Sequence, residues 1–387
     1  MSEWRSKIQN LVEEIDIYSD KLRVKLRRIG DFEDDLTIVP YLGYGTTDVF
    51  RLSGRVLEDK GAIDSSGEHS RWENLRNMYR RFATDEISGA RLRARFQNVE
   101  TEVVTDGEGY FNLELNTADS TKSESPLQEI ELELIEPHKE NGQPARAAGQ
   151  VLVPPATAEF GVISDLDDTV IVTNVTDRLK MLLTVALLNE HTRMPFKGVA
   201  AFYEALCDGA SGAENNPIFY VSSSPWNLYS PLAEFLSIHN IPRGTLFLKD
   251  FGNHTIFSSG DHHHHKTNSI ELILNTYPHL PFILIGDSGE QDPEIYGEIV
   301  RKYPQRIRAV YIRSIDTKNE RVAAIDKLIG EIAVTGCQLV LAPDTVFAAA
   351  HAAGEKLIAA AALSSIREER TADEIAPSAR EIAEEPI

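Results

Sequence analysis

A cluster of carboxylates closes an apolar run near the middle of the chain. Residues 161–163 are apolar, and Asp165 and Asp167 follow them. Residues two apart point to the same side of an extended chain, and two carboxylates forced together repel each other unless a cation lies between them. Mg²⁺ takes oxygen ligands of this kind. The spacing therefore predicts a metal-assisted site, and the alternative is an Asp-rich helix cap made by Asp168 or Thr169.

Further residues with chemical uses lie near two other apolar runs. Ser222 follows the run at 218–221, in a hydroxyl-rich turn whose backbone N–H groups can hold an anion before a helix. Lys266 precedes the run at 282–285, and Asp287 follows that run. Taken singly, these residues could be a helix cap, a surface charge and a turn residue.

The elements that must position these residues are strands of a parallel sheet. Five apolar runs alternate with helical stretches, and each ends at a polar residue: 161–163, 218–221, 245–248, 282–285 and 307–312. This alternation predicts βαβ units and a ligand site at the carboxyl ends of the strands. The candidate carboxylates, hydroxyl and ammonium group therefore gather at one edge of one sheet.

The combination resembles the haloacid dehalogenase superfamily of phosphohydrolases. Its four motifs are matched by Asp-x-Asp-x-Thr at 165–169, the strand-end Ser222, Lys266, and Gly-Asp-x₄-Asp at 286–292. The resemblance implies an α/β fold with a Rossmann-like parallel sheet. The insert at 170–217 must also supply a crossover helix, so it leaves room only for a small helical cap.

The resemblance also implies roles for the carboxylates. Asp165 would be the nucleophile that forms an aspartyl-phosphate. Asp167 would protonate the leaving oxygen and then deprotonate the hydrolytic water. Mg²⁺ would be held by Asp165, the backbone carbonyl of Asp167 and Asp287.

Other residues would serve the phosphate and the metal less directly. Ser222 and Lys266 would hold phosphoryl oxygens, and Asp292 would position Asp287 or its bound waters. Four further residues are candidates for substrate contact: Ser223, Thr169, Trp226 and Asn227.

Two longer segments carry a narrower resemblance. Residues 221–229 and 285–296 are similar to the actin-patch-associated phosphatidate phosphatases and their bacterial relatives. That family implies Mg²⁺-dependent hydrolysis of phosphatidate to diacylglycerol. The alternatives are a phosphatase for a soluble or protein phosphomonoester, because the motifs set the chemistry but not the leaving group, and a non-catalytic interaction protein.

Several segments around the predicted site have two interpretations. The nearly all-apolar stretch at 179–188 is either a buried helix or an interfacial helix that dips into lipid. The four histidines at 262–265 cannot all face one metal, and one or two could donate to phosphate or supply a proton. Three cations near strand ends are candidates for the phosphate side of the site: Arg243, Lys249 and Arg313.

The first part of the chain has β signals. Alternating patterns predict strands at 50–57, 91–96 and 129–134, a hairpin at 103–113, and a two-layer antiparallel sandwich. One helix interrupts them, with Trp72, Leu75, Tyr79 and Phe82 on one face. The Gly-Ala-Arg-Leu-Arg-Ala pattern and the later Asp-Gly-Glu-Gly-Tyr-Phe pattern resemble the transthyretin-like sandwich. Residues 137–155 are rich in small residues and proline and predict a linker.

The predicted domains follow from these changes in texture. A helical, basic segment at 1–30 precedes the sandwich domain at 31–150 and the phosphatase domain at 155–345. A C-terminal helix at 344–363 and an acidic, disordered tail at 364–387 complete the chain. Two basic stripes, Lys21/Arg23/Lys25 and Arg91/Arg93/Arg95, are either solvated faces or patches for anionic lipid headgroups.

Composition narrows the partners. The 387 residues carry a formal charge of −21, which argues against a nucleic-acid binder. Two cysteines leave no disulfide framework or zinc site. Neither a signal peptide nor an apolar run of membrane-spanning length is present in the sequence. These features predict a soluble cytoplasmic protein, peripheral at an anionic membrane surface if its substrate is a phospholipid.

Overall fold

A computed structural model describes residues 35–59, 86–118, 125–137, 143–166, 198–249, 262–315 and 319–375. The chain divides into two compact units between Val153 and Pro154. In the part of the chain that the structure describes, no helix is long and apolar enough to cross a membrane. The predictions for the stripe at 21–25, the helix at 72–82, the stretch at 179–188, and Asp167, Asp168 and Thr169 lie outside the described residues.

The first unit contains a mainly antiparallel sheet. Its strands are β1 (Asp35–Pro40), β2 (Gly43–Gly45), β3 (Val49–Asp59), β4 (Arg91–Phe96), β5 (Val99–Val104), β6 (Tyr110–Asn116), β7 (Leu127–Glu136) and β8 (Arg146–Leu152). They pair in the order β1-β3-β2-β8-β7-β4-β5, with β6 also on β3. Every pairing is antiparallel except that of β2 with β8. The three strands predicted from alternation are therefore confirmed.

One apolar core lies against the strands of this unit. On β7, Ile130, Leu132 and Leu134 are buried, while the residues between them are exposed or half-buried. Phe50 of β3 and Phe96 of β4 meet edge to face with ring centroids 4.8 Å apart, although their strands are not hydrogen-bonded to each other. Alternation therefore buries one side of each strand in a common core.

The predicted hairpin at 103–113 is wrong in its pairing. A tight turn is present, because the Asp106 N–H donates to the carbonyl of Tyr110 at 2.8 Å and Gly109 has φ +75°. The strands on either side then separate, so that β5 pairs with β4 and β6 pairs with β3. A Cβ at residue 109 would lie 2.8 Å from the carbonyl oxygen of Val56, so this glycine serves a close approach to β3.

The predicted linker at 137–155 is wrong for residues 146–152. It contains β8, which pairs with β7 from Leu152 opposite Leu127 to Arg146 opposite Glu133. A Cβ at Gly149 would lie 2.4 Å from Cδ2 of Leu52. The small residues that made this segment look like a linker permit close packing within the sheet.

The arginine stripe of β4 is paired with acids. Its neighbours β5 and β7 place glutamates opposite each arginine, and the ion pairs include Arg91–Glu136 at 2.6 Å, Arg93–Glu102 at 3.1 Å and Arg95–Glu100 at 2.8 Å. Partly exposed pairs of this kind add little stability. They do neutralise the stripe, which favours a solvated face over a patch for anionic lipid.

The second unit is a parallel sheet with helices, which confirms the α/β prediction. Its strands are β9 (Gly161–Asp165), β10 (Ile218–Pro225), β11 (Thr245–Lys249), β12 (Phe282–Asp287), β13 (Ile307–Arg313) and β14 (Gln338–Ala342). Its helices are α1 (Val199–Asp208), α2 (Tyr229–Ile238), α3 (His262–Thr276), α4 (Asp292–Lys302), α5 (Asn319–Ala333), α6 (Thr345–Gly354) and α7 (Ala362–Ile375).

The strand order places a crevice at the end of β9. The order is β11-β10-β9-β12-β13-β14, so the chain moves outward from β9 to β11 and then returns to the other side of β9. The change of direction between β9 and β12 is a topological switch point, where ligands bind at the carboxyl ends of strands in open α/β sheets. All residues of β9 are buried.

The C-terminal predictions need correction. The helix predicted at 344–363 begins as expected, with the Asp344 side chain accepting from the Phe347 N–H at 2.8 Å, but it ends at Gly354. Residues 364–375 belong to α7 and are not a disordered tail. Ile366 of α7 is completely buried in the core, and the carboxylate of Glu369 accepts a 2.6 Å hydrogen bond from the backbone of Ala201 in the first turn of α1. The prediction of a disordered tail used the acidic average composition of this segment, which does not show that one face of the helix is buried.

Candidate active site

Lys266 is enclosed by three carboxylates at the switch point. Its ammonium nitrogen lies 2.7 Å from Asp165, 2.6 Å from Glu290 and 3.0 Å from Asp292. Asp165 ends β9, Asp292 begins α4, and Glu290 lies in the loop between β12 and α4. The Lys266 side chain is only 3% exposed. The structure thus brings together the predicted nucleophile, the predicted phosphate-binding lysine and the second carboxylate of the Gly-Asp-x₄-Asp motif.

This cluster has an excess of negative charge in a buried place. Burial raises the pKa of Asp292 to about 6, although the neighbouring Lys266 cation acts in the opposite direction. A single ammonium group faces three acidic side chains. Such a site is electrostatically suited to a further cation, since opposite charge favours the ionised carboxylates.

Asp292 also fixes the strand end that carries Asp287. Its Oδ2 accepts a hydrogen bond from the backbone N–H of Asp287 at 3.1 Å. A Cβ at residue 286 would lie 2.2 Å from the same Oδ2, so only glycine leaves room for this carboxylate. The glycine and the last aspartate of the motif are therefore needed together.

The carboxylate of Asp287 organises its own loop. Its Oδ1 accepts hydrogen bonds from the backbone N–H groups of Gly289 at 2.7 Å and Glu290 at 3.2 Å. The loop is closed further by Ser288, whose N–H donates to the carbonyl of Arg313 and whose Oγ accepts from the N–H of Ile315. The side chain of Asp287 is thus held at the carboxyl end of β12.

The donor set fits a hard divalent cation. Carboxylate oxygens of Asp165, Glu290 and Asp292 lie within 4.8 Å of one another, and hard cations such as Mg²⁺ take oxygen ligands. Of the predicted ligands, Asp165 belongs to this group; within the described part of the chain Asp287 does not join it, and Asp167 lies outside that part. Asp292, predicted to act indirectly, is a member of the group itself.

Ser222 is the buried end of the phosphate-side turn. Its Oγ accepts a hydrogen bond from the Ser224 N–H at 3.0 Å, and its carbonyl oxygen lies 3.0 Å from Nε2 of His265. Because the carbonyl can only accept, Nε2 of His265 is the donor. Ser222 is completely buried, whereas Ser223 is half-buried.

Two aromatic residues beyond this turn stack on each other. Trp226 and Tyr229 stack with ring centroids 6.2 Å apart, and both are half-buried against the core. Asn227 is exposed. The substrate contact predicted for Trp226 stays a prediction, and its packing against the core also lets it support the turn.

The histidine run has no common direction, as predicted. Successive residues of α3 point about 100° apart, so His265 is buried against Ser222, His264 is exposed, and Nε2 of His263 lies 3.7 Å from Glu298. His265 contacts Ser222, which is one of the predicted site residues. Its role is to hold the backbone of the phosphate-side turn.

The three predicted cations separate into two groups. Lys249 ends β11 and Arg313 ends β13, so both lie at the carboxyl edge of the sheet, and Arg313 is the register partner of Asp287. Arg243 precedes β11 and therefore lies at the opposite edge. The prediction that Arg243 is a phosphate-side cation is wrong, because strand direction places it away from the carboxylates.

Sequence reasoning missed residues that support the site. The hydroxyl of Ser164 donates to the carbonyl oxygen of Asp165 at 3.0 Å and is bonded to Tyr203 of α1 at 2.7 Å. Arg321 of α5 contacts the loop after Asp287. Glu290 lies inside the recognised motif and could have been singled out there, whereas Tyr203 and Arg321 belong to no motif.

Comparison with known proteins matches this unit to one family. Residues 160–314 match the family described as "Phosphatidate phosphatase APP1, catalytic domain". The chain is 33% identical over 171 residues to the phosphatidate phosphatase APP1 of Saccharomyces cerevisiae. The aligned segment covers 43% of this chain and 28% of that protein. The resemblance to these phosphatases is thereby confirmed for that region.

A second relative extends the similarity. The uncharacterized protein C29B5.04c of Schizosaccharomyces pombe is 27% identical over 235 residues, which covers 60% of this chain and 37% of that protein. The chain thus spans about a third of the length of the curated relatives it matches.

Proposed function

We propose that this chain, whose residues 160–314 match a phosphatidate phosphatase catalytic domain, is a phosphoric monoester hydrolase that acts on phosphatidate or a related lipid phosphomonoester. The products would be diacylglycerol and phosphate. The observation that carries the proposal is the buried contact of Lys266 with Asp165 and Asp292 at the switch point of the parallel sheet. A buried cluster of this composition suits a nucleophile and a phosphoryl group better than it suits stability, because buried ion pairs are weakly stabilising at best.

Asp165 would attack phosphorus and form the aspartyl-phosphate. It ends a fully buried strand, and its carbonyl is held by Ser164, so its position is restricted before substrate arrives. Such restriction favours an in-line approach. Asp167, two residues further, would protonate the leaving oxygen and later accept a proton from water.

Lys266 and Ser222 would bind the phosphoryl oxygens. Lys266 has three N–H donors and already contacts Asp165, where the phosphoryl group must arrive. A phosphate anion would compete with the carboxylates for this ammonium group. Ser222 supplies a hydroxyl and a hydrogen-bonded turn, with Ser223, Trp226, Asn227 and Thr169 as further candidates for substrate contact.

We propose Mg²⁺ as the cofactor. Asp165, the Asp167 carbonyl and Asp287 would hold it, with Asp292 and Glu290 beside them. When bound, the ion would offset charge on the transferring phosphoryl group. Asp292 would keep Asp287 in place through its backbone N–H.

We also propose a fold family for each of the two domains. Residues 155–345 would form a haloacid dehalogenase-like domain with a small helical cap insert at 170–217, and residues 31–150 would form a transthyretin-like sandwich. We propose a cytoplasmic location, and a lipid substrate would make the protein peripheral at membranes.

A soluble phosphomonoester is the second candidate substrate. The arginine stripe of β4 is neutralised by glutamates, and the formal charge of −21 opposes an anionic surface. These observations weaken electrostatic attraction to phosphatidate in a membrane.

The test is phosphate release from a substrate panel with Mg²⁺. It compares phosphatidate in mixed micelles with soluble aryl, sugar and nucleotide monoesters, using Asp165→Asn as the blank. The proposal expects the highest kcat/KM for phosphatidate and a rate that follows its surface concentration. Faster turnover of a soluble monoester would select the second candidate, and no turnover of any monoester would reject the function.

A further inference from the structure

Arg321 lies outside the residues of the family match and yet contacts the loop between β12 and α4. It is in the first turn of α5, beyond residue 314, where the family match ends. Its side chain is 27% exposed, and it is bonded on several sides. Arg321 belongs to none of the motifs recognised in the sequence.

The guanidinium group of Arg321 makes three kinds of contact. Nε donates to the carbonyl of Ser288 at 3.0 Å, and Nη2 donates to the carbonyl of Glu290 at 2.6 Å. Nη1 and Nη2 both donate to the carboxylate of Glu294, the second at 2.9 Å. One side chain therefore joins the loop and the first turn of α4 to α5.

The Ser288 carbonyl and the Gly289 N–H belong to one peptide unit, and this unit lies between Arg321 and Asp287. The carbonyl accepts from Arg321, while the N–H donates to Oδ1 of Asp287 at 2.7 Å. A trans peptide is planar and points its carbonyl and N–H in opposite directions. Fixing the carbonyl on one side therefore fixes the donor on the other, and consecutive hydrogen bonds polarise one another.

The second carbonyl contact reaches the lysine cluster. Glu290 is held by Arg321 through its backbone carbonyl, while its side chain lies 2.6 Å from the ammonium group of Lys266. Its N–H also donates to Asp287. Arg321 thus restrains both acidic side chains that the loop presents toward the site.

We infer that Arg321 is a positioning residue that sets the orientation of the Asp287 and Glu290 carboxylates through the backbone between them. Its hydrogen bonds go to Ser288, Glu290 and Glu294. The inference rests on the proposed phosphatase function for its catalytic consequence and on the hydrogen bonds alone for its structural one.

Arginine suits this task better than lysine. Its planar fork offers five N–H donors in fixed directions, whereas the lysine ammonium is a flexible point charge. Arg321 bonds two carbonyls and a carboxylate together, and a lysine at this position could not reproduce that set. Arg321→Lys should therefore behave much like Arg321→Ala.

The experiment compares Arg321→Ala and Arg321→Lys with Arg301→Ala in the full chain. Arg301 pairs with Glu331 at 3.5 Å and so joins the same two helices, but at their other ends and at the surface. Hydrogen exchange of the peptide that covers 286–292 should become about tenfold faster in both Arg321 variants. Arg301→Ala should leave it unchanged.

Kinetics and rescue separate positioning from general stability. Both Arg321 variants should lose about ten- to a hundredfold in kcat and need more Mg²⁺ for half-maximal rate, with thermal midpoints near that of Arg301→Ala. Guanidinium ion at low millimolar concentration should restore part of the kcat of Arg321→Ala but none of that of Asp287→Asn.

Each outcome decides the matter. The inference would be overturned if exchange at 286–292 were unchanged in Arg321→Ala. It would also be overturned if Arg321→Ala and Arg301→Ala had equal effects on that exchange and on kcat. If wild type hydrolyses no monoester, the proposed function fails, and exchange at 286–292 with and without Mg²⁺ still tests the positioning role. Faster exchange confined to the loop would then support it independently of catalysis.

Discussion

The ammonium nitrogen of Lys266 lies 2.7 Å from Oδ1 of Asp165, and both side chains are 3% exposed. The predicted phosphate-binding lysine and the predicted nucleophile are therefore ion-paired before any phosphate is bound. An opposite charge at this distance favours the ionised form of a carboxylate, which is the form a nucleophile requires. A phosphoryl group entering between them would exchange one anion at Lys266 for another.

Asp165→Asn should abolish turnover and preserve the fold. Asparagine is nearly isosteric with aspartate but is a far weaker nucleophile, and Lys266 retains Glu290 and Asp292 as partners. We expect a loss in kcat on the order of a thousandfold or more, measured as phosphate release, with a thermal midpoint close to that of wild type. Activity within about tenfold of wild type would remove Asp165 from the nucleophile role.

Lys266→Met should destabilise the protein by about 3–5 kcal/mol, because it leaves the buried carboxylates without their cation. Asp292 is completely buried and Asp165 nearly so. Urea unfolding measures the change. Lys302→Met is the control, since Lys302 pairs with Glu271 at the surface, where loss of an ion pair changes stability little. Equal losses in the two variants would contradict the buried-cluster argument.

Asp287→Asn should weaken the Mg²⁺ binding on which the rate depends, and it should lower the rate itself. The amide oxygen of asparagine can still accept from the Gly289 and Glu290 N–H groups that Asp287 now holds, so the loop should persist while the charge is lost. A Mg²⁺ titration of activity measures the effect. A titration curve that overlays the wild-type curve would show that Asp287 is not a ligand.

His239 should make stability fall as the pH decreases. Burial lowers the pKa of His239, whose ring centroid lies 4.5 Å from that of Phe235. The unfolded state, with a pKa near about 6.5, then binds more protons than the folded state, so the free energy of unfolding decreases as pH falls through that value. His239→Gln should remove this part of the dependence. Matching slopes between pH 5 and pH 7 for the two proteins would rule out His239 as the cause.

Local sequence determined the strands and the main chemistry of the site. Apolar runs followed by Asp165, Ser222 and Asp287 became buried parallel strands. Asp165 and Asp287 are the last residues of their strands, and Ser222 lies in the last half of its strand. This was predictable because a buried strand is specified by consecutive residues, and strand direction then places its last residue. The motif spacing added Lys266 and Asp292.

Tertiary structure decided which elements meet. The turn at Asp106 looked like a hairpin, yet its two strands pair with different neighbours. The acidic segment after 363 is helical because Ile366 packs into the core, where it is completely buried. Pairing partners and burial depend on residues far away in the chain, which local patterns do not contain.

The same distinction divides the site itself. The sequence determined which carboxylates, hydroxyl and ammonium group were available. The first carboxylates and the hydroxyl end or follow apolar runs, and Lys266 belongs to the motif pattern. Only the folded chain placed Glu290 beside Lys266, 24 residues away, and Arg321 against the carbonyl of Ser288, 33 residues away. These contacts arise because neighbouring strands and helices pack side by side, so that residues distant in the chain share one set of hydrogen bonds.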